Sequence, residues 1–121
     1  MAMTDKEKMN ELVKILDAKK AGKISAMFVE EKTIIASYFV MCTAGSVTQL
    51  RALADEVEEK MSEKGEPPRK IEGKNESGWL LVDFGGVILH IFTAQMREFY
   101  DLERLWNDAA QIDISDLLTK E

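Results

Sequence analysis

Residues 79–92 read Trp79-Leu80-Leu81-Val82-Asp83-Phe84-Gly85-Gly86-Val87-Ile88-Leu89-His90-Ile91-Phe92, two strongly apolar runs hinged on a glycine pair. Aromatic and β-branched residues suit a pleated surface, and glycine takes up positive φ without a steric penalty. The stretch therefore predicts strands over 79–84 and 87–93 joined by a two-residue hairpin. Counting outward from the turn sets Phe84 opposite Val87, Asp83 opposite Ile88, Val82 opposite Leu89, Leu81 opposite His90, Leu80 opposite Ile91 and Trp79 opposite Phe92. Successive side chains point to opposite faces. One face is then Leu80, Val82, Phe84, Val87, Leu89 and Ile91, wholly apolar and predicted core. The other is Trp79, Leu81, Asp83, Ile88, His90 and Phe92, large rings mixed with ionisable groups. That composition fits a binding hot spot, or a sheet face covered by one of the chain's own helices. A slip of one residue in the turn would destroy the sorting.

Working outward, Thr4-Asp5-Lys6-Glu7 has the form of a capping box, followed by Met9, Leu12, Val13 and Leu16 at helical spacing, with Gly22 as the expected stop. Strands are predicted over 24–30 and 35–42, joined by a Glu31-Lys32-Thr33 turn. Ser46-Val47-Thr48-Gln49 repeats the capping logic with glutamine. The stripe Leu50, Leu53, Ala54, Val57 and Met61 then runs until Gly65 and Pro67-Pro68. A short strand over 69–73 and a turn at Lys74-Asn75-Glu76-Ser77-Gly78 lead into the hairpin. A last helical region over 94–106 has Phe99, Leu102, Leu105 and Trp106 as expected apolar anchors. Residues 109–121 read as an acidic C-terminal tail, mobile or carrying one short helical turn. The order αββαβββα predicts a single α/β domain, a mixed sheet of about five strands flanked by helices, with residues 35–73 as a candidate right-handed crossover unit.

Composition narrows the function. The chain has 121 residues, the length of one domain, and a single cysteine, so no internal disulfide supports the fold. No apolar run approaches the ~18 residues of a spanning helix, and Met1-Ala2-Met3-Thr4-Asp5-Lys6 has no apolar signal region. The expectation is a soluble, cytoplasmic protein without a membrane partner. Net charge is −6, and residues 98–121 hold seven acids against Arg104 and Lys120, or −5. That balance disfavours direct binding of nucleic acid as the dominant interaction and favours a basic protein partner.

Catalytic readings fare poorly. One histidine and one cysteine, at no motif spacing, make no metal set, and Cys42 sits in an apolar strand. Ser37, Ser46 or Cys42 as nucleophile would have only His90 as base. Thr43-Ala44-Gly45-Ser46 precedes a helix and has free N–H groups for an anion, but it lacks the lysine and glycine pattern of a phosphate loop and is fully explained as a strand-to-helix turn with a serine cap. No catalytic, cofactor or metal residue is assigned.

Three segments together resemble the ribosomal silencing factor, or Iojap-like, family. They are Ser37-Tyr38-Phe39-Val40-Met41-Cys42-Thr43 running into Leu50-Arg51-Ala52-Leu53-Ala54-Asp55-Glu56-Val57, then the 79–92 hairpin, then Arg97-Glu98-Phe99-Tyr100-Asp101-Leu102-Glu103-Arg104-Leu105-Trp106. The resemblance covers residues up to about 108, the expected extent of the domain. It implies a nucleotidyltransferase-like fold without that chemistry, since no Asp-x-Asp pair follows Gly45-Ser46 to hold metal ions. It also implies a non-enzymatic repressor that binds the large ribosomal subunit through ribosomal protein L-fourteen and blocks joining of the small subunit when nutrients are scarce. Family contacts map onto Trp79 and Phe84 with Asp83 beside them, and the mixed face adds His90 and Phe92 as partner-binding candidates. The face count puts Phe84 opposite Trp79 and Asp83. Ser37 and Gly86 stand where the family commonly has aspartates, and Thr43-Ala44-Gly45-Ser46-Val47 departs from its Thr-Gly-Thr/Ser-Ser-Asn-like turn. The alternatives are a nucleotide-binding or nucleotidyltransferase-related enzyme using Gly45-Ser46, and a self-associating homodimer built on the aromatic face.

Overall fold

The computed structural model describes residues 3–31, 36–73 and 77–118. It contains α1 (Asp5–Ala18), β1 (Gly22–Phe28), β2 (Tyr38–Ala44), α2 (Val47–Glu63), β3 (Lys70–Glu72), β4 (Trp79–Asp83), β5 (Val87–Thr93), α3 (Ala94–Tyr100), α4 (Leu102–Leu105) and β6 (Ala110–Gln111). The predicted turns at 31–33 and 74–78, and the Ile35 start of the second strand, fall wholly or partly outside the described residues.

The strands form one sheet in the order β3-β4-β5-β2-β1-β6, with β2 and β5 parallel and every other pair antiparallel. The hairpin register is the one counted from Gly85-Gly86: Trp79 pairs with Phe92, Leu81 with His90 and Asp83 with Ile88. Phe84 N–H donates to Val87 O at 2.9 Å to close the turn, and Gly85 has φ +92°. Directions counted through these pairings make β2 and β3 parallel, so α2 carries the chain over β5 and β4 to the far edge.

Both long helices begin as their sequences predict. Thr4 and Glu7 complete a reciprocal capping box on α1, and Ser46 Oγ accepts from Gln49 N–H at 3.0 Å on α2. The Gln49 side chain reaches back one residue further than a capping box requires, accepting from Gly45 N–H. The helices also end alike. Lys20 and Ala21 donate to Asp17 O and Leu16 O, and Gly65 and Glu66 donate to Ser62 O and Met61 O, two closures of Schellman form. In the second, glycine takes the left-handed position, φ +80°; in the first it is Lys20, φ +62°. Gly22 is therefore not the stop of α1 but the first residue of β1.

Two apolar layers result. Met9, Leu12, Val13 and Leu16 of α1 and Leu50, Leu53, Ala54, Val57 and Met61 of α2 pack on Leu80, Val82, Phe84, Val87, Leu89 and Ile91, the whole predicted core face of the hairpin. Each fully buried side chain of this kind contributes roughly 1.5–3 kcal/mol. On the opposite face Met27, Val29, Phe39, Met41, Ile88 and Phe92 form a smaller layer, capped by Leu102 and Trp106.

The segment after 106 differs from a detached tail. Met27 and Phe28 pair with Gln111 and Ala110, Ile112 N–H donates to Ala26 O at 2.9 Å, and Ile114 is buried in the main core. β6 is a sixth strand covering the β1 edge, and the one short helical turn expected of this segment is present at Ser115–Leu117.

Candidate partner-binding surface

The mixed face of the hairpin is graded in depth. Ile88, His90 and Phe92 lie on the central strand β5 and are buried, while Trp79, Leu81 and Asp83 on β4 are half-buried. The indole of Trp79 stacks with Phe92 (ring centroids 5.4 Å, 19° between planes) and lies beside His90, nearly parallel to it (5.9 Å, 27°). Its N–H donates to His90 Nδ1 at 3.3 Å. On the inner side His90 meets the edge of Phe39, which in turn meets Trp106. Burial pushes the His90 imidazolium down to about pKa 4, so the ring is neutral at physiological pH. His90 and Phe92 thus form the floor beneath Trp79 and offer no surface of their own.

Phe84, only 2% exposed, faces the α1 and α2 layer, so alternation persists to the end of β4 and the residue presents nothing on the Trp79 side. Asp83 works within the turn. Its Oδ1 accepts from Gly85 N–H at 2.8 Å and its carbonyl from Arg69 N–H at 2.7 Å. The departure at Gly86 has a local cause, since a β-carbon there would run into the carboxylate of Asp5, which accepts from Ser37 Oγ at 2.9 Å.

The surface extends where the sequence pattern had placed core. Asp101 sits in the left-handed region (φ +48°, ψ +54°) and breaks the predicted 94–106 helix into α3 and α4. The break changes the helical phase. Leu102 and Trp106 turn inward as predicted, but Phe99 and Leu105 are 69% and 70% exposed, and Tyr100 is exposed too. Tyr100 contacts both Trp79 (4.6 Å) and Phe99 (5.2 Å), so the aromatic area runs unbroken from β4 across α3. A hollow of about 170 Å³ lies beside Trp79 and Leu81 at Glu72, Gly73 and Ser77. A wider cleft of about 550 Å³ lies among Glu98, Phe99, Tyr100, Asp101, Arg104 and Leu105.

Arg97 holds this corner in place. It is buried, its guanidinium donates to Lys23 O, Ser25 Oγ and Thr43 Oγ1, and it pairs with Glu103 at 2.8 Å. Lys23 lies in a β-bulge of β1 with φ +45°, which aims its carbonyl at the arginine. An arginine in an amphipathic pattern reads as solvent-facing, and its acceptors come from distant segments, so only the fold reveals it. The surface gathers Trp79, Leu81, Phe99, Tyr100 and Leu105, with carboxylates at Asp83, Glu98 and Asp101 around it.

The turn at Gly45-Ser46 is occupied by its own caps, since Gly45 and Gln49 N–H both donate to side chains of the turn. Burial pushes the Cys42 thiol up to about pKa 12, as expected of a core residue rather than a nucleophile. Among the described residues no three His, Cys, Asp or Glu side chains gather as a metal set. No described helix is long and apolar enough to cross a membrane.

Fold and surface together define a single α/β domain, a mixed sheet flanked by helices, whose most developed outward feature is aromatic area rather than a cluster of reactive groups. The chain belongs to the ribosomal silencing factor family: the family described as "Ribosomal silencing factor during starvation" matches residues 2–121. It is 39% identical over 98 residues to the ribosomal silencing factor RsfS of Bacillus subtilis, covering 81% of this chain and 83% of that one. A mouse protein named "Mitochondrial assembly of ribosomal large subunit protein 1" is 33% identical over 98 residues, 78% of this chain and 43% of the mouse protein. A crystal structure from Chromobacterium violaceum superposes with a TM-score of 0.83 at 30% identity, over 87% of this chain and 88% of the other.

Proposed function

We propose that this chain is a cytoplasmic, non-enzymatic translational repressor. It binds the large ribosomal subunit through ribosomal protein L-fourteen and so blocks joining of the small subunit under nutrient limitation. Membership in the silencing family supports the regulatory role, and the name of the mouse relative ties that protein to the large subunit. The observation that carries the docking site is the continuous surface of Trp79, Tyr100, Phe99 and Leu105. Large apolar residues this exposed cost solubility unless a partner covers them. The cleft beside it carries Glu98 and Asp101 against Arg104, and that acidic excess suits a basic protein and speeds encounter at low salt. Phe84, His90 and Phe92 have no direct contact in this reading; they set the shape beneath Trp79.

The test is cosedimentation with purified Bacillus subtilis large subunits, together with a subunit-joining assay. Trp79→Glu and the pair Phe99→Ser, Leu105→Ser are expected to lose association and to stop inhibiting joining, with unchanged circular dichroism. Normal cosedimentation of both variants would falsify the site. The same exposed patch also favours a second reading, self-association. Sedimentation at rising concentration that yields a dimer dissociated by Phe99→Ser, Leu105→Ser, without subunit binding by the wild type, would establish it instead.

A further inference from the structure

We infer that His90 is the positioning residue for Trp79: by accepting the indole N–H it locks the ring flat across β4 and β5, so that a partner meets ring carbon and not a hydrogen-bond donor. This rests on the reading above that Trp79 contacts the large subunit.

Three observations carry it. His90 stands on the central strand β5, paired with Leu81 and buried against Phe39, so its ring has a fixed place from which to hold another group. Its Nδ1 is the acceptor for Trp79 Nε1–H. That assigns the ring proton to Nε2, and Nε2 is buried and meets no partner among the described residues. A buried N–H left unmet is costly, and a phenylalanine would fill the same space without it. What histidine adds at this position is the acceptor at Nδ1. The ring contacts of Trp79 with Phe92, His90 and Tyr100 set the plane of the indole but name no edge of it; the hydrogen bond to Nδ1 points the N–H edge at His90.

The consequence is chemical. With its N–H taken inward, Trp79 presents apolar surface and a π face, which suit an aliphatic side chain or the stem and head of a lysine or arginine. A partner group that seeks an indole donor gains nothing at this site.

The experiment compares His90→Phe, which keeps the ring and removes the acceptor, with His90→Asn, which loses volume but returns an acceptor near the Nδ1 position. Affinity for purified Bacillus subtilis large subunits is measured by cosedimentation. Solvent exchange of the Trp79 indole proton in the free protein is followed by nitrogen-15 NMR, with Trp79→Phe used for assignment. His90→Phe is expected to bind about tenfold more weakly, the scale of one lost hydrogen bond, and to expose the indole proton to rapid exchange. His90→Asn is expected to keep binding and protection closer to wild type, the reverse of the order that packing alone dictates. Wild-type binding by His90→Phe while Trp79→Glu fails to bind overturns the inference and leaves the docking site standing. Normal binding by Trp79→Glu removes the docking reading and the inference with it. Rapid exchange of the Trp79 indole proton in the wild-type protein overturns the inference whatever the variants do.

Discussion

Lys20 and His90 each occupy a position that another residue fills at lower cost, and each cost is measurable. The closures of α1 and α2 share one hydrogen-bond pattern, but α1 has a lysine at φ +62° where α2 has Gly65 at φ +80°. A side chain in the left-handed region is strained, and glycine relieves the strain while giving back some entropy in the unfolded chain. Lys20→Gly is expected to raise stability by about 0.5–1 kcal/mol, read as a shift in the urea midpoint at constant slope. For His90, burial lowers the folded pKa from 6.5 to about 4. Between those values the unfolded chain binds the extra proton, so stability is fully present above pH 6.5 and falls as pH drops toward 4. The slope from this one residue is about 1.4 kcal/mol per pH unit. Urea unfolding at pH 7 and pH 5 is expected to show that loss in the wild type and to show it diminished in His90→Phe; equal losses would mean other groups dominate.

At the scale of elements, the α3–α4 corner shows how periodicity misleads. The spacing of Phe99, Leu102, Leu105 and Trp106 fits one continuous helix with four anchors, but Asp101 in the left-handed conformation breaks it, and only Leu102 and Trp106 face inward. The corner holds its angle because Arg97 of α3 reaches the β1 bulge and β2 while gripping Glu103 beyond the break. Replacing Arg97 with methionine keeps much of its packing but strands the acceptors at Lys23, Ser25 and Thr43. The expected loss is roughly 2–4 kcal/mol, measured by thermal unfolding. Glu103 is 41% exposed at its side chain and regains water when unpaired, so Glu103→Gln is expected to cost clearly less. Equal losses in the two variants would mean that the ion pair, and not the bonds to β1 and β2, holds the corner.

Over the whole molecule, the C-terminal segment is where the sequence reading and the fold part most. Its acidity fits a mobile tail or one short helical turn; Ser115–Leu117 form that turn, while residues 110–111 extend the sheet and Ile114 enters the core. Truncation after residue 108 is expected to lower stability by about 3 kcal/mol, from the burial of one large side chain and the uncapping of the β1 edge, seen as a lower Tm. An unchanged Tm would return the segment to a tail. What the sequence determined alone was whatever depends on neighbours along the chain: the N-terminal caps of α1 and α2, their apolar stripes, and the entire β4–β5 register. That register follows from a two-residue turn and strict alternation, which leave one arrangement. The tertiary structure alone decided which way Phe99, Leu105 and Arg97 face, and that β6 closes the β1 edge. These choices are set by contacts between segments far apart in the chain, where an apolar residue at a helical interval fits the core and a partner's surface equally well.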